Sequence, residues 1–252
     1  MPDLQDLDAV FFDLDGTLID FQVAETRSIL CIMADHGIDP AECNAVRYRE
    51  INKEHWDAYG RGEIPKDVLL TRRFEVFFAE MGKPLAGETA EASRIDIAYQ
   101  HLLGENTVLT DGALELVRDL HGRLPLLIAT NGVYRTAIHK LETAGLRRFF
   151  PLIAASETIG EQKPDRAFFD AALKMCGCVD PARVLMVGDL WAADIAGAAA
   201  AGLRTCWYNP SGETRPMGVA ADADGEKQPP ALEIRRLDEL RGWLGLTPIS
   251  PG

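Results

Sequence analysis

Short, uninterrupted runs of apolar residues punctuate this chain, and most of them end at a polar residue. Runs of this length are typical of strands that are buried on both faces of a sheet. The runs are Ala9–Phe12, Leu124–Ala129, Leu152–Ala155, Val184–Val187, Thr205–Tyr208 and a weaker one at Leu232–Ile234. Segments with apolar residues at helical spacing separate them, namely Ala113–His121, Tyr134–Ala144, Arg166–Cys176, Ala192–Ala201 and Leu237–Leu244.

Strands that alternate with helices predict an α/β fold with a doubly wound, Rossmann-like parallel sheet and right-handed crossovers. We assign residues 1–19 and 104–252 to this core domain. Ligands of such sheets bind beyond the carboxyl ends of the strands, near the point where the strand order reverses.

Residues 20–103 break the alternation, because they contain helical patterns only. Glycine-containing breaks separate these four patterns, which are Phe21–His36, Pro40–Tyr59, Lys66–Met81 and Glu88–Leu103. We therefore predict a separate all-helical cap domain inserted after the first strand. A second departure, the Gly-, Pro- and acid-rich segment 212–230, is expected to be a long surface loop.

The first strand runs directly into Asp13-Leu14-Asp15-Gly16-Thr17. Two acids spaced i, i+2 point to the same side of a strand, and buried like charges repel unless one carboxyl takes up a proton. A divalent cation removes that conflict. The motif therefore indicates a metal-assisted carboxylate site at the end of the first strand.

Three further polar signals follow in order along the chain. Thr130-Asn131-Gly132 comes after the second strand, and Lys163-Pro164 precedes a helix. Gly188-Asp189 follows the fourth strand, with Asp194 five residues beyond Asp189 in a G-D-x-x-x-x-D pattern. Each signal alone is weak, but their order and their positions at strand ends make the set specific.

Composition narrows the functional classes. The net charge of −13 argues against nucleic-acid polymers and anionic membranes as partners, while a local metal still permits a small phosphorylated substrate. Five cysteines form no even framework, and the N-terminus lacks a signal-like apolar stretch, so we expect a cytoplasmic protein. We expect Cys176 and Cys178 to be a structural pair rather than a metal site.

The four motifs together resemble the haloacid dehalogenase-like superfamily, in its phosphatase branch with a helical cap after the first strand. The resemblance implies that Asp13 is the nucleophile and that Asp15 is the general acid and base. It implies that Thr130, the Asn131 backbone N–H and Lys163 bind the phosphoryl group. It further implies a Mg²⁺ ion held by the Asp13 carboxylate, the Asp15 carbonyl, Asp189 and Asp194.

Asp15 also separates branches of the superfamily. The dehalogenase branch has an aromatic residue at this position and uses no Mg²⁺, and the phosphonate-cleaving branch has a small residue there and a cap lysine. This chain fits neither pattern, so the resemblance implies a Mg²⁺-dependent phosphomonoester hydrolase.

The cap is expected to determine the substrate. The stripe Asn52, Trp56 and Tyr59 lies at i, i+4 and i+7, and its surroundings resemble the cap of the YjjG-type pyrimidine 5′-nucleotidases. The resemblance implies a nucleoside monophosphate substrate, of the (deoxy)pyrimidine or non-standard type, for a monomer or homodimer. Two alternatives stay open: a small sugar-phosphate phosphatase, of the N-acylneuraminate-9-phosphate or phosphoglycolate type, and a non-catalytic phosphate-binding relative. Trp and Tyr at helical spacing are also common in cores.

Overall fold

The computed structural model describes residues 6–86, 89–214 and 232–246, and its strands form one six-stranded sheet. The strands are β1 (Ala9–Phe12), β2 (Leu126–Thr130), β3 (Leu152–Ala155), β4 (Val184–Gly188), β5 (Arg204–Tyr208) and β6 (Leu232–Ile234). All five pairings are parallel, in the order β3-β2-β1-β4-β5-β6. The predicted parallel α/β sheet is confirmed, although β2 begins two residues later than expected, just after Pro125, which has no N–H to donate.

The described residues form ten α-helices. They are α1 (Phe21–Asp35), α2 (Glu42–Gly60), α3 (Lys66–Glu80), α4 (Thr89–Glu105), α5 (Ala113–Leu120), α6 (Tyr134–Thr143), α7 (Ser156–Ile159), α8 (Arg166–Cys176), α9 (Gly197–Ala200) and α10 (Leu237–Trp243). The short helix α7 has no counterpart among the sequence predictions, because four residues are too few to show a helical period.

Alternate residues of the central strands face opposite layers. In β1, Val10 and Phe12 belong to a core shared with α5, α6 and α10, whereas Ala9 and Phe11 belong to a core shared with α8 and α9. Both sets are fully buried, so the strand is apolar on both faces, as its continuous hydrophobic run predicts. Helices thus cover both sides of the sheet, and β1 lies between β2 and β4, where the strand order reverses.

The helical segment after β4 differs from the prediction of one helix over Ala192–Ala201. Residues Trp191–Ala196 form a π-helical turn, and α9 follows it. The backbone passes very close to a neighbour here, because a Cβ on Gly197 would lie 2.7 Å from Pro164 Cα. π-Helical turns are rare in proteins overall, and those that occur often lie at functional sites.

The chain divides into two compact units. One comprises the described residues up to Asp20 and from Leu109 onward, and contains the sheet. The other, Phe21–Val108, contains α1 to α4. Its core has an aromatic centre, in which the Tyr48 ring stacks on Phe74 at 5.5 Å and meets Tyr99 edge-on at 5.5 Å.

Two further points concern the predicted surface loop and the hydrophobicity of the helices. Of the predicted surface loop 212–230, residues 212–214 have no regular structure, and the remainder lies outside the described residues. Among the helices of the described ranges, none combines the length and the apolar character that a membrane span requires.

Candidate active site

Asp13 follows β1 directly and lies at the carboxyl edge of the sheet. Its backbone N–H donates to the carbonyl of Val187 at 2.9 Å, which extends the pairing of β1 with β4 by one residue. The side chain is 8% exposed, and its Oδ1 accepts a hydrogen bond from Lys163 Nζ at 2.6 Å. The carboxylate is therefore both buried and held in one orientation.

Lys163 is the cation at the centre of this edge. Its ammonium donates to Asp13 Oδ1 at 2.6 Å, to Asp194 Oδ1 at 2.6 Å and to the carbonyl of Ala129 at 2.7 Å. Burial alone would lower the pKa of Lys163, but the two carboxylates outweigh it and hold the pKa above its usual range. The lysine is charged at neutral pH and links the ends of β1 and β2 to the π-helical turn.

Asp189 follows β4 and faces the turn that comes after β1. Its Oδ1 accepts a hydrogen bond from the Thr17 hydroxyl at 3.0 Å. Gly16 has a φ of 88°, and a Cβ added to it would lie 2.4 Å from Asp189 Oδ2, so only glycine allows this close approach. On the other side, Trp207 Nε1 donates to the Asp189 carbonyl at 2.8 Å, a contact that no sequence motif indicated.

Asp194 is completely buried in the π-helical turn. Its Oδ1 accepts from Lys163, and its Oδ2 accepts the backbone N–H of Leu190 at 3.0 Å. The carboxylate thus serves the N-terminal end of its own helical turn as well as the lysine. A neighbouring glycine is again required, because a Cβ on Gly188 would lie 2.4 Å from Asp194 Cβ.

Asp13, Asp189 and Asp194 offer carboxylate oxygens that all lie within 4.8 Å of one another. Burial, opposed by Lys163 and reinforced by neighbouring acids, raises the pKa of Asp13 to about 7. Burial and the charges of Asp13 and Asp194 also raise the pKa of Asp189 well above its usual range. Three carboxylates against one ammonium leave excess negative charge, and hard oxygen donors of this kind fit Mg²⁺.

Thr130 is the last residue of β2, and Asn131 follows it. The Thr130 hydroxyl accepts the Gly132 N–H at 2.9 Å, which leaves the hydroxyl proton for an acceptor such as a phosphate oxygen. The Asn131 side chain has a role that the sequence did not reveal. Its Oδ1 accepts the Lys163 backbone N–H and its Nδ2 donates to the Lys163 carbonyl, both at 2.9 Å, so it fixes the lysine-bearing loop to the end of β2.

Asp15 is more exposed than Asp13, at 26% of its side chain. Its Oδ1 lies 2.5 Å from Nζ of Lys140, a side chain on α6 that is only 3% exposed. Sequence reasoning missed Lys140. The available signal was its position beside Ala137 and Leu141 on the buried face of a helix, where a lysine is unusual.

The three predicted cap residues differ in their surroundings. Asn52 is buried, its Nδ2 donates to Glu25 Oε1 at 2.6 Å, and its Oδ1 accepts from Arg73 at 2.7 Å. Trp56 and Tyr59 are partly exposed and meet edge-to-face, with ring centroids 5.8 Å apart. The Asn52 amide is thus committed to the interior of the helical unit, whereas the two rings retain accessible surface.

The two cysteines at the end of α8 lie against the core that faces α8 and α9. Both are partly buried, and burial raises the pKa of the Cys176 thiol to about 12. Both side chains therefore belong to the packing of the sheet unit.

Comparison with known proteins places the chain in a family. The profile of the haloacid dehalogenase-like hydrolases matches residues 7–202. The HAD-hydrolase YfnB of Bacillus subtilis is 32% identical over 94% of this chain and 95% of its own length. Its magnesium-bound crystal structure superimposes with a TM-score of 0.83, at 31% identity, over 95% of this chain and 99% of that one.

Two named phosphatases are also similar. The pyrimidine 5′-nucleotidase YjjG of Escherichia coli is 32% identical over 94% of this chain and 97% of its own length. The N-acylneuraminate-9-phosphatase of Mus musculus is 30% identical, over 81% of this chain and 83% of its own length. The chain belongs to the haloacid dehalogenase-like hydrolase family, as the motifs indicated, and it is a phosphoric monoester hydrolase.

The buried network of the helical unit yields a stability prediction. Arg73 is 2% exposed and donates to Asn52 Oδ1 at 2.7 Å and to Asp96 Oδ1 at 2.6 Å. Replacing it in Arg73→Met leaves Asp96 without its buried cation, which is expected to cost about 3 to 5 kcal/mol of unfolding free energy. The measurement is urea denaturation followed by circular dichroism.

The matched control is Arg72→Met, the same change one residue earlier on the same helix, at an exposed position. It is expected to change the unfolding free energy by less than about 0.5 kcal/mol. Equal losses in the two variants would contradict the assignment of a stabilising role to the buried network.

Proposed function

We propose that this phosphoric monoester hydrolase works through an aspartyl-phosphate formed on Asp13, with Mg²⁺ as cofactor, and that its substrates are nucleoside 5′-monophosphates. The observation that carries the proposal is the cluster at the switch point of the sheet. There a nucleophile of the required type is buried, oriented by a lysine and surrounded by two further carboxylates. An acid of different exposure, Asp15, stands two residues away.

The first half-reaction transfers the phosphoryl group to the protein. A carboxylate oxygen of Asp13 forms a bond to phosphorus while the ester P–O bond breaks, and its electron pair stays on the departing oxygen. That oxygen takes a proton from the carboxyl group of Asp15. Thr130, with its free hydroxyl proton, and the backbone N–H of Asn131 donate to the phosphoryl oxygens.

The second half-reaction releases phosphate. Asp15, now ionised, accepts a proton from a water molecule whose oxygen bonds to phosphorus as the bond to Asp13 breaks. Lys163 acts throughout as the fixed positive charge beside Asp13, 2.6 Å from its Oδ1. Inorganic phosphate leaves, and both carboxyl groups return to their starting states.

The cation would be held by the carboxylates of Asp13 and Asp189, with the Asp15 carbonyl and Asp194 completing the protein's contribution. Support comes from the spacing of the three carboxylates and from the raised pKa values of Asp13 and Asp189. When bound, Mg²⁺ supplies charge neutralisation for the phosphoryl group as it moves between two anionic oxygens. The magnesium reported in the crystal structure of YfnB supports the identity of the cation.

The nucleotide preference is supported by the similarity to the pyrimidine 5′-nucleotidase YjjG and by the partly exposed rings of Trp56 and Tyr59. An exposed aromatic ring offers a face on which a nucleobase can stack. We assign these rings, rather than the buried Asn52, to substrate binding within a helical domain that acts as a cap. The similarity to the N-acylneuraminate-9-phosphatase keeps a sugar phosphate as the second candidate.

The nucleophile assignment predicts that Asp13→Asn abolishes hydrolysis. The amide cannot form an acyl phosphate, so turnover of every phosphomonoester should fall by at least about 10³-fold. Phosphate release is measured with Mg²⁺, and binding of beryllium fluoride, which mimics the phosphorylated aspartate, should be lost as well. The control is Asp170→Asn, an exposed acid on α8 that forms a surface ion pair with Arg166, which should keep wild-type activity.

Hydrolysis by Asp13→Asn at a rate near that of the wild type would exclude the aspartyl-phosphate route.

The metal assignment predicts that Mg²⁺ binding competes with protons. In the metal-free protein the pKa of Asp13 lies at about 7 and that of Asp189 is also raised, so part of this population is protonated at pH 6 to 7. Binding must release these protons, and the affinity should fall by up to about tenfold per pH unit for each proton as the pH drops below 7. Titration calorimetry at pH 6.5 in two buffers of different ionisation enthalpy measures the release.

Asp189→Asn should lose most of the binding heat in the same titration. A Kd for Mg²⁺ that is constant between pH 6 and 8, with no proton release, would contradict the proposed ligand set.

The substrate assignment predicts a higher kcat/KM for dUMP or dTMP than for N-acylneuraminate-9-phosphate or phosphoglycolate. In Trp56→Ala, loss of base stacking should lower kcat/KM for the nucleotide by roughly 5- to 100-fold. The value for p-nitrophenyl phosphate, which has no base, serves as the internal control and should change little. A preference for a sugar phosphate, with equal losses on both substrates in the variant, would transfer the assignment to the second candidate.

A further inference from the structure

Lys140 has no assigned part in the reaction described above, yet it is among the most buried charged side chains of the sheet unit. It lies on α6 with 3% of its side chain exposed, between the apolar neighbours that anchor this helix to the core. An ammonium in such a place destabilises the fold strongly unless it is paired. Its Nζ lies 2.5 Å from Asp15 Oδ1, so the pairing is with the acid that the mechanism needs.

The contact determines which oxygen of Asp15 remains for chemistry. Oδ1 is engaged by the lysine. Oδ2 lies by the turn after β2, because a Cβ added to Gly132 would be 3.5 Å from Asp15 Oδ2 and 3.0 Å from Thr130 Oγ1. Asp15 Oδ2 and the hydroxyl assigned to the phosphoryl group therefore both lie next to Gly132.

We propose that Lys140 is a positioning residue, which holds the Asp15 carboxyl group by Oδ1 so that Oδ2 exchanges the proton with the ester oxygen of the substrate. The inference rests on the proposed function, because it assumes that Asp15 is the proton donor. It adds a residue from a different helix, which couples the orientation of the acid to the packing of α6.

Lys140 and Asp15 differ in exposure, and this difference predicts what happens when the ammonium is removed. Asp15 is 26% exposed, so water can solvate its carboxylate when the lysine is removed. Lys140→Met keeps the length and the apolar stem of the side chain and removes only the ammonium. The protein is therefore expected to remain folded, while the carboxyl group loses the partner that fixes its rotamer.

The test compares leaving groups. An alkyl phosphate such as a nucleoside 5′-monophosphate expels a basic alkoxide and depends on the proton donor, whereas p-nitrophenyl phosphate expels a stable anion and depends on it little. In Lys140→Met, kcat/KM for the alkyl ester should fall by about 10²-fold. The fold-decrease in kcat/KM for the aryl ester should be at least about tenfold smaller than that. The parameter kcat/KM is used because it covers only the steps up to departure of the alcohol.

Three further variants make the result specific. Lys174→Met, the same change at an exposed position of α8, should leave both values unchanged. Lys140→Arg, which retains a cation, should restore much of the alkyl-ester activity. In Asp15→Asn, adding Lys140→Met should not alter the ratio of the two substrates further, because residues that act through one group are not additive.

Equal losses on the two substrates in a folded Lys140→Met protein, or a further change of the ratio in the double variant, would overturn the proposal. Should circular dichroism show that Lys140→Met is unfolded, Lys140→Gln, which also lacks the ammonium, carries the same comparison. Failure of the proposed function is a separate outcome: Asp15→Asn would then show no greater loss on the alkyl ester than on the aryl ester.

Discussion

The ammonium of Lys163 is the interaction on which the rest of the site depends. Its three N–H groups are used by Asp13, by Asp194 and by the carbonyl of Ala129. These acceptors come from the end of β1, the π-helical turn after β4 and the end of β2, so one buried charge ties three parts of the sheet edge together. The Asn131 amide, bonded to both backbone groups of Lys163, determines where that charge lies.

The site carries more negative than positive charge. Asp13, Asp189 and Asp194 lie within 4.8 Å of one another, and Lys163 compensates only one of three negative charges. The pKa values of Asp13 and Asp189 are raised for the same reason, because protonation removes part of the excess negative charge. A divalent cation would supply the two missing charges, and a phosphoryl dianion could then approach an edge that would otherwise repel it.

The fold was predictable from the sequence because the central strands β1, β2 and β4 are apolar and buried on both faces. Continuous runs such as Ala9–Phe12 and Leu152–Ala155 have the bounds in the structure that the pattern predicts. The order of the motifs then predicted which side chains meet at the sheet edge, since parallel strands all end there. The π-helical turn at Trp191–Ala196 was not predictable, because apolar spacing in this segment fits an ordinary helix equally well. The close approach of the adjacent Gly197 to Pro164 was not predictable either, because the two residues are distant in sequence.

The same limit applies to the residues that the motifs missed. The side chain of Asn131 belongs to a short motif, but its bonds to Lys163 cross 32 positions of the chain. Lys140 lies 125 positions from Asp15, and Trp207 lies 18 from the carbonyl to which it donates. Asn52 was predicted from helical spacing to share a substrate-binding stripe with Trp56 and Tyr59, whereas its amide is bonded to partners on other helices. These roles depend on contacts between different helices, strands and loops. The periodicity of residues within one helix or strand does not reveal such contacts.

Asp13 and Asp15 show how two residues of one type acquire different tasks. They are two positions apart, yet Asp13 is 8% exposed and bonded to Lys163, while Asp15 is 26% exposed and bonded to Lys140. The buried carboxylate shares its lysine with Asp194 and lies among the candidate metal ligands, which suits a nucleophile that must stay fixed in position. The more exposed one has one oxygen anchored and one directed toward the turn at Gly132, which suits a group that must pass a proton to a departing alcohol and receive one from water. The division follows from which lysine each acid meets, and those lysines are provided by the loop before α8 and by the buried face of α6.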